Sequence, residues 1–557
     1  MKRDLNKLCD HIHGLLIIGG GIYGATAAWE ASSRGLSVAL IEKGDFGGAT
    51  SMNSLKTVHG GLRYLQQLDF KRMRESIGER STFLRIAPHL VHPLPFLLPT
   101  YGHLKKGREA LSIALRIADM VGFDRNRGLD PSHHLQPGRT ISRNETLRRI
   151  PGIKAEGLTG GAIWNDALMF STDRLLLSFL LSASEAGAAA ASYVEARDFI
   201  IDSGTVKGVT AKDLLTGDEF DVRAKVTLNM SGPWLDKVIG RAGTGTSGNR
   251  VYPSKAMNIV VRKIFDDHAV GLPSSHTYTV NGRPVRTGSR YLFTIPWRGH
   301  TLIGTTHLHY DGNPDEFSVT ADDISQFLDE VNNSHPSLSL KMDDVLFAYG
   351  GILPMTRESS QKDRVDLVKN YRIHDHAAED GLEGLVSVLG VKYTTARDVS
   401  EKAVDFVFRK MGFSPTKSFT ASRPVYGGEI THFDEFVRES QRTRPDTVSE
   451  SAFEHLLHVY GSRYTDLLEY LDEDPSLAET AAPSKPVTKM QIVHGVREEM
   501  ALKLTDVVMR RTELGSTGSP GDDTLETCAR LMGRELGWNE DRIAAELSET
   551  KALFTIK

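Results

Sequence analysis

The stretch from Leu15 to Glu42 constrains this chain more than any other. Leu15-Leu16-Ile17-Ile18 is an unbroken apolar run, the pattern of a parallel strand buried on both faces. Gly19, Gly21 and Gly24 follow at G-x-G-x-x-G spacing. Ala25, Ala27, Ala28 and Trp29 continue at helical spacing, and Val38-Ala39-Leu40-Ile41 reads as a second strand that ends on Glu42. In a dinucleotide site each part has a physical task. The first glycine permits the tight turn, the second lets the backbone close on a pyrophosphate, and the third lets helix and strand pack closely. The helix start adds unpaired N–H groups and about half a positive charge. An acid ending the second strand can accept hydrogen bonds from the adenosine ribose.

The chain carries its own control. Gly243, Gly245 and Gly248 repeat the spacing, but no apolar strand runs into them, and Asn249-Arg250-Val251-Tyr252-Pro253 cannot open a helix. That copy reads as a loop, so the strand-turn-helix-strand-acid context carries the first match.

With 557 residues the chain is too long for one core, and two or three domains are expected. It is 40% hydrophobic and 25% charged, the balance of a soluble globular protein. A net charge of −4 gives no general attraction to nucleic acid. Its two cysteines, Cys9 and Cys528, imply no disulfide framework and a reducing compartment. No apolar run approaches the roughly 20 residues of a membrane span, and the charged Met1–Gly14 start does not read as a signal peptide.

After Glu42 the chain turns small and polar, from Lys43 to Ser51, and runs on from Asn53 to Leu65. Small residues permit close packing against a flat ligand, and the hydroxyls with Lys56 can bind phosphate or flavin oxygens. A nicotinamide enzyme would continue here into a second periodic βα unit, which this loop does not resemble.

Ala49-Thr50-Ser51, Ser54, Lys56 and His59-Gly60-Gly61-Leu62-Arg63-Tyr64-Leu65 resemble, nearly letter for letter, the pattern of the FAD-dependent glycerol-3-phosphate dehydrogenases, flavoproteins that pass electrons to quinone. Further stretches are similar to that family: Ser231-Gly232-Pro233-Trp234-Leu235-Asp236, Leu302-Ile303-Gly304-Thr305-Thr306, Gly390 to Arg397, Tyr460 to Arg463 and Asp506 to Leu514. The resemblance implies an α/β fold: an interrupted, Rossmann-like FAD domain, an antiparallel-sheet substrate domain and a C-terminal α-helical domain. It sets 14–412 as the oxidoreductase, with FAD-binding segments near 14–80, 155–250 and 340–412 and substrate segments near 81–154 and 251–339. Residues 413–428 are then a linker and 429–557 the helical domain. FAD is the implied cofactor, held by Gly19, Gly21, Gly24, Glu42, Lys43, Thr50, Ser51, Ser54, Lys56, His59, Gly60, Gly61, Leu62, Gly232, Thr394 and Thr395. Arg63, Tyr64, Lys392 and Arg357 are expected to bind substrate. No metal is called for. The implied partners are glycerol 3-phosphate, quinone, an anionic membrane surface and a second copy in a homodimer. The implied location is the cytoplasm, peripherally on the inner face of the membrane.

Several elements are expected outside the first crossover. Leu104–Val121 reads as a basic amphipathic helix with Leu111, Leu115 and Ala118 on one face and Lys105, Lys106, Arg108 and Arg116 around them. It either packs on the substrate domain or lies on anionic lipid. Thr172 or Asp173 should cap a helix running through Leu181. Val194–Ala196 and Val206–Val209 suggest short strands, Val226–Asn229 a buried one, and Val251–Tyr310 an antiparallel sheet roofing a substrate pocket. Leu385–Leu389 is a strand and Gly390 a turn, with Thr394 and Thr395 as caps for a helix from Ala396 to Phe406. Its N-terminus could face the flavin's pyrimidine edge and stabilise negative charge there.

Two departures bear on substrate. Leu353 stands where the family carries an arginine beside the substrate, and Asn258 where it tends to carry a histidine base; asparagine takes no proton near neutral pH. His307 replaces the aspartate usual after "GTT" and reads as a substitute base, while Arg357 could restore the lost charge. Arg63 and Lys392 are the phosphate candidates, each charge-assisted bond contributing roughly 1.5–3 kcal/mol. The expected reaction is hydride transfer from a secondary alcohol carbon to flavin N5. Two rival readings stand beside it: an FAD oxidase of amines, 2-hydroxy acids or another polyol phosphate, and a flavoprotein that binds a partner without catalysis.

Overall fold

The structure, a computed structural model, describes residues 1–102, 107–243, 250–280, 282–287, 289–361 and 365–556. The apolar run of the sequence becomes strand β1 (His13–Ile18), followed by helix α1 (Ile22–Ser33) and strand β2 (Val38–Ile41). Around them the chain adds β3 (Ala189–Ala191), β4 (Glu219–Asn229), β5 (Arg372–Asp375) and β6 (Leu385–Leu389). The strand order is β5-β6-β4-β1-β2-β3, parallel throughout except for β5 against β6. Leu15, Leu16 and Ile17 are wholly buried, because β1 lies between β4 and β2 and has helices or hairpin over both faces. The chain leaves β1 toward β2 on one side and finds β4 on the other. The strand order therefore reverses at the carboxyl end of β1, where open α/β sheets place their ligand crevice.

Helix α1 packs between α2 (Thr172–Glu185) and α3 (Ala396–Lys410), with Trp29 and Phe179 at 5.4 Å between ring centroids. The cap of α2 is Ser171, whose hydroxyl accepts from Arg174 N. Neither Thr172 nor Asp173, expected from the sequence, takes that place. Thr395 precedes α3 but makes no side-chain cap. The short strands expected at Val194 and Val206 are nine residues each, Val194–Asp202 and Thr205–Asp213, a hairpin that pairs on through β4.

The second sheet runs, strand by strand, through Val345–Met355, Tyr252–Arg262, His300–His309, Arg290–Trp297, Ala269–Ser274, Val91–Tyr101, Leu158–Met169 and Thr57–Val58, with Arg139–Ser142 beside Leu158–Met169. All pairs are antiparallel except Ala269–Ser274 with Val91–Tyr101. Leu158–Met169 and Val345–Met355, which the sequence groups with the FAD-binding segments, belong to this sheet, held by long ladders to Val91–Tyr101 and Tyr252–Arg262. Helix Ala321–Ser334 covers its outer face through Ile324, Phe327 and Val331, and Thr320 with Asp323 forms its capping box. The C-terminal helices do not stand apart. Phe453, Leu456 and Val507 share one core with Phe96, Trp297 and Tyr349 of the second sheet.

The amphipathic helix is Arg108–Val121; Leu104, Lys105 and Lys106 lie outside the described residues, as do Gly245, Gly248 and Asn249 of the second glycine copy. Leu115 is buried while Ile113 and Met120 are exposed. Among the described residues no helix is long and apolar enough to cross a membrane.

At Gly24 an added Cβ would lie 1.8 Å from the carbonyl oxygen of Gly19. Gly24→Ala should therefore destabilise the chain by about 1–3 kcal/mol, the usual cost of overpacking, and lower bound-cofactor content further than melting alone explains. Thermal melting with a parallel chromophore assay checks both.

Candidate functional site

One cavity of about 2680 Å³ opens at the carboxyl end of β1 and runs under the second sheet. It is larger than the roughly 300–1,000 Å³ of pockets that hold one drug-sized ligand, so it has room for an extended cofactor and a substrate together. Its first wall is the glycine turn. Gly19 adopts φ +108°, which an L side chain rarely takes, and a Cβ at Gly21 would sit 3.2 Å from Ser51 Oγ. Ser51 Oγ accepts from Ile22 N at 3.0 Å, fixing the first turn of α1 against the loop.

Glu42 lies at the cavity wall. Its carboxylate accepts from Gly20 N at 2.7 Å and Gly44 N at 2.8 Å. Burial pushes its pKa up, against the lowering effect of those two N–H groups. Lys43 lies over the Trp234 ring at 3.9 Å and pairs with Asp315, which also takes Lys237 and, at 2.7 Å, Trp234 Nε1. Thr50, Ser51, Ser54, Leu62, Gly61 and Gly232 all line the cavity.

Four expected ligand residues do not line it, the first being Gly24, which packs against the Gly19 carbonyl. Lys56 is wholly buried. Its ammonium donates to Met52 O and to Thr172 Oγ1 at 2.9 Å, beneath the Tyr349 ring, so it holds the loop from behind and cannot reach phosphate or flavin oxygens. Gly60 turns its N–H to Asp166 Oδ1 at 2.6 Å, and a Cβ there would meet Arg80 at 2.2 Å. Thr395 is buried at the start of α3, while Thr394 does reach the cavity, its hydroxyl accepting from His59 N at 3.3 Å.

Asp166 is the organiser that sequence reasoning missed as a site residue. Its carboxylate accepts from Gly60 N, from Arg80 Nη1 at 2.5 Å, from Trp164 Nε1 at 3.1 Å and, at 3.3 Å, meets His59 Nδ1. Burial pushes its pKa up, but the His59 hydrogen bond and the Arg80 charge outweigh this and hold it at about 2. With Nδ1 against the carboxylate, Nε2 of His59 meets the Thr57 hydroxyl at 2.9 Å. No spacing rule joins residues 59, 80 and 166. Tyr23 was missed for the same reason: its hydroxyl donates to Lys392 O at 2.8 Å and accepts from Val391 N and Lys392 N, pinning the Gly390–Lys392 turn across the cavity.

The charged end of the cavity gathers Arg63, Tyr64, Lys392 and His307. Lys392 donates to the Tyr64 hydroxyl and lies 4.3 Å from that ring, with Arg72 at 4.4 Å from it. Burial first, then the Arg72 charge, lower the Lys392 pKa to about 8. Arg63 is exposed to the cavity. His307 faces Arg63 and Arg290, and burial with those two charges drops its pKa to about 3, so the ring is neutral at ordinary pH. Its Nδ1 is buried and has no hydrogen-bond partner among the described residues. Arg290 is itself tied to Glu330, at 3.0 and 2.5 Å, and to Thr305 O at 2.8 Å. Asn258 is used at both ends, donating to Asn53 O and accepting from Thr305 Oγ1, so it is a strut. Leu353 and Arg357 both line the cavity.

Residues 15–392 match the family of FAD dependent oxidoreductases, and residues 418–543 match the C-terminal domain of alpha-glycerophosphate oxidase. A glycerol-3-phosphate dehydrogenase of Synechocystis sp. is 32% identical over 98% of this chain and 97% of its own length. An alpha-glycerophosphate oxidase of Streptococcus pyogenes is 30% identical over 97% and 95%. The solved glycerol-3-phosphate dehydrogenase from Bacillus halodurans, complexed with FAD, superposes with TM-score 0.77 at 26% identity over 99% of this chain and 96% of that one. The resemblance read from the sequence is borne out, and with it the fold class. The chain's own residues fit FAD: Gly19 and Gly24 admit no side chain, the first turn of α1 faces the cavity, and an acid that accepts hydrogen bonds closes β2.

Because the Asp166 pKa is depressed in the fold, its stabilisation is present above the unfolded value near 4 and is lost as pH falls toward about 2, a loss of about 2 kcal/mol. Asp166→Asn should cost about 3 kcal/mol or more at neutral pH, since it strips Arg80 of its carboxylate. The gap between the two proteins should narrow as pH falls through that window. Denaturant unfolding across pH measures it.

Proposed function

The chain belongs to the FAD dependent oxidoreductase family, joined to the C-terminal domain of the alpha-glycerophosphate oxidases, and from that premise we propose that it oxidises sn-glycerol 3-phosphate to dihydroxyacetone phosphate. The observation that carries this reading is the charged end of the cavity, where two cations, Arg63 and Lys392, meet a histidine whose Nδ1 lacks a partner among the described residues. A phosphorylated secondary alcohol offers an anion to the two cations and a hydroxyl proton to the histidine.

FAD, when bound, supplies the acceptor for the hydride that leaves the alcohol carbon. It would be held by Gly19, Gly21 and the start of α1 at its pyrophosphate, and by Glu42 at its ribose. The loop of Thr50, Ser51 and Ser54 and the turns His59–Leu62, Gly232 and Thr394 would hold the remainder. Arg63 and Lys392 take the phosphate, with Tyr64 steering the lysine and Arg357 at the rim. This pins the carbinol carbon in one orientation, which is where much of the rate advantage of a bound reactant arises. His307 accepts the hydroxyl proton at a ring nitrogen. Burial is the main cause of its low pKa, and the Arg290 and Arg63 charges add to it; a bound phosphate offsets only the charge contribution, chiefly that of Arg63. The O–H proton goes to His307, the C–H bond breaks with its electron pair, and a ketone remains.

A second arm of the cavity, lined by Leu98, Tyr101, Ala110, Leu111 and Ala114, runs along helix Arg108–Val121. Ile113, Met120 and Phe123 are exposed at 61%, 70% and 81% nearby. An apolar arm beside exposed apolar side chains suits quinone as the final acceptor at an anionic lipid surface. The rival reading, an FAD oxidase or dehydrogenase of another substrate, draws on Leu353, which offers neither charge nor donor to a phosphate.

Anaerobic bleaching of the yellow protein by sn-glycerol 3-phosphate, and not by amines or 2-hydroxy acids, is the expected result; bleaching by those alone would select the rival. Arg63→Ala should raise KM for the phosphorylated substrate about tenfold or more, the scale of one charge-assisted bond, without altering flavin content. His307→Ala should lower kcat by roughly 10²–10⁴. Lys392 is charged below its pKa of about 8, so kcat/KM should fall as pH rises through that value. In Lys392→Arg the fall should move to higher pH.

A further inference from the structure

The C-terminal helices contribute Lys503, Thr505, Arg510 and Glu549 to the same cavity wall as Glu42, Gly44, Asp45, Gly48 and Tyr193. This wall adjoins the acid that closes β2, through Tyr193 N to Gly44 O and Val194 N to Glu42 O. The link between the two parts is made of buried charge. Asp45 is fully buried and accepts from Arg511 at 2.8 and 2.7 Å and from Arg510 Nε. Arg510 also donates to Asp506 at 2.8 Å, and Asp506 accepts from the Tyr193 hydroxyl at 2.7 Å. Arg511 is anchored in turn on Glu499 O at 2.9 Å. All three C-terminal residues of this network lie in or beside one π-helical turn, Val507–Arg511, whose irregular geometry aims two consecutive arginines at one carboxylate.

What the network grips matters more than its strength. Tyr193 N donates to Gly44 O, and Val194 N to Glu42 O. Asp45 opens the loop in which Gly47 N donates to Gly20 O, Met52 N to Gly47 O, and Ser51 receives Ile22 N. The π turn thus holds, through Asp45 and Tyr193, both sides of the segment that surrounds Glu42 and the start of α1. At the rim Lys503 pairs with Glu549 at 3.0 Å and lies over the Tyr193 ring at 5.8 Å.

We propose that the π turn Val507–Arg511 is a clasp on the adenosine end of FAD, with Arg510 as the positioning residue, so that cofactor leaves only when the C-terminal helices loosen from Asp45. The proposal rests on the placement of the adenosine ribose at Glu42. A buried carboxylate between two arginines cannot let go of one cheaply, since an unpaired buried charge costs several kcal/mol. The latch therefore stays shut in the holoprotein.

The test uses full-length holoprotein with Arg510→Gln and, separately, the rim pair Lys503→Ala with Glu549→Ala. The readouts are the rate of FAD release by recovery of flavin fluorescence, apoprotein melting and flavin midpoint potential. The clasp predicts release about tenfold faster in Arg510→Gln, the scale of one charge-assisted hydrogen bond, with midpoint potential unchanged. It predicts release several-fold faster in the rim variant with apoprotein melting unchanged. Lower apoprotein melting with release unaltered in both variants overturns the clasp and leaves an ordinary structural network. A shifted midpoint potential in Arg510→Gln overturns it through its premise, because the isoalloxazine would then sit at Glu42.

Discussion

Helix α1 rests on the turn that follows β1 with no space for a methyl group between Gly24 and the Gly19 carbonyl. That contact fixes where the helix begins, and the helix start fixes where negative charge can be received. The order of strands then decides what faces it. With β4 on one side of β1 and β2 on the other, the crevice lies above Gly19–Ile22. The loop from Lys43 to Leu65 must cross it before the chain pairs again at Thr57–Val58 in the second sheet. Cofactor cavity and substrate roof are joined by this one crossing.

Three carboxylates hold the crossing in shape: Asp45 and Asp166 are buried with donors from remote parts of the chain, and Glu42 is half-buried with donors from Gly20 and Gly44. Glu42 takes two backbone N–H groups of the turn region, Asp45 two C-terminal arginines, and Asp166 the Gly60 N–H with Arg80 and Trp164. A buried carboxylate with several good donors is tolerable, while one with a donor removed is not. The loop is therefore positioned by charge satisfaction at three points along its length, which suits a segment too rich in glycine and serine to position itself by packing.

Much of this is legible in the order of the residues. The apolar runs of β1, β2 and β6 and the glycine spacing mark the first sheet, because a strand buried on both faces leaves a continuous hydrophobic signature. Gly60 turns toward Asp166, whereas Thr50, Ser51, His59, Gly61 and Leu62 line the cavity. Lys56 does not, because a lysine's letter does not say whether its stem points to a ligand or into an aromatic core under Tyr349. The cap of α2 falls one residue earlier, at Ser171, within the ordinary uncertainty of reading a helix start. Asp166, Tyr23 and Arg510 are beyond the reach of any sequence pattern: each acts on a residue 106 to 465 positions away, and such pairings exist only once the sheets have formed.

Within this frame of cavity and cradle, Leu353 and His307 line the cavity with side chains that can alter chemistry, while Asn258 braces Asn53 against Thr305. The central claim is one of placement, with a dinucleotide lying along the crossing from Glu42 to His307. A crystal structure of the FAD complex tests it most directly. Ribose hydroxyls are expected on the Glu42 carboxylate, pyrophosphate within about 3 Å of the first N–H groups of α1, and the isoalloxazine between His59–Leu62 and Gly390–Lys392. An isoalloxazine found beside Glu42 and Tyr193, with adenine toward Arg63, would contradict it.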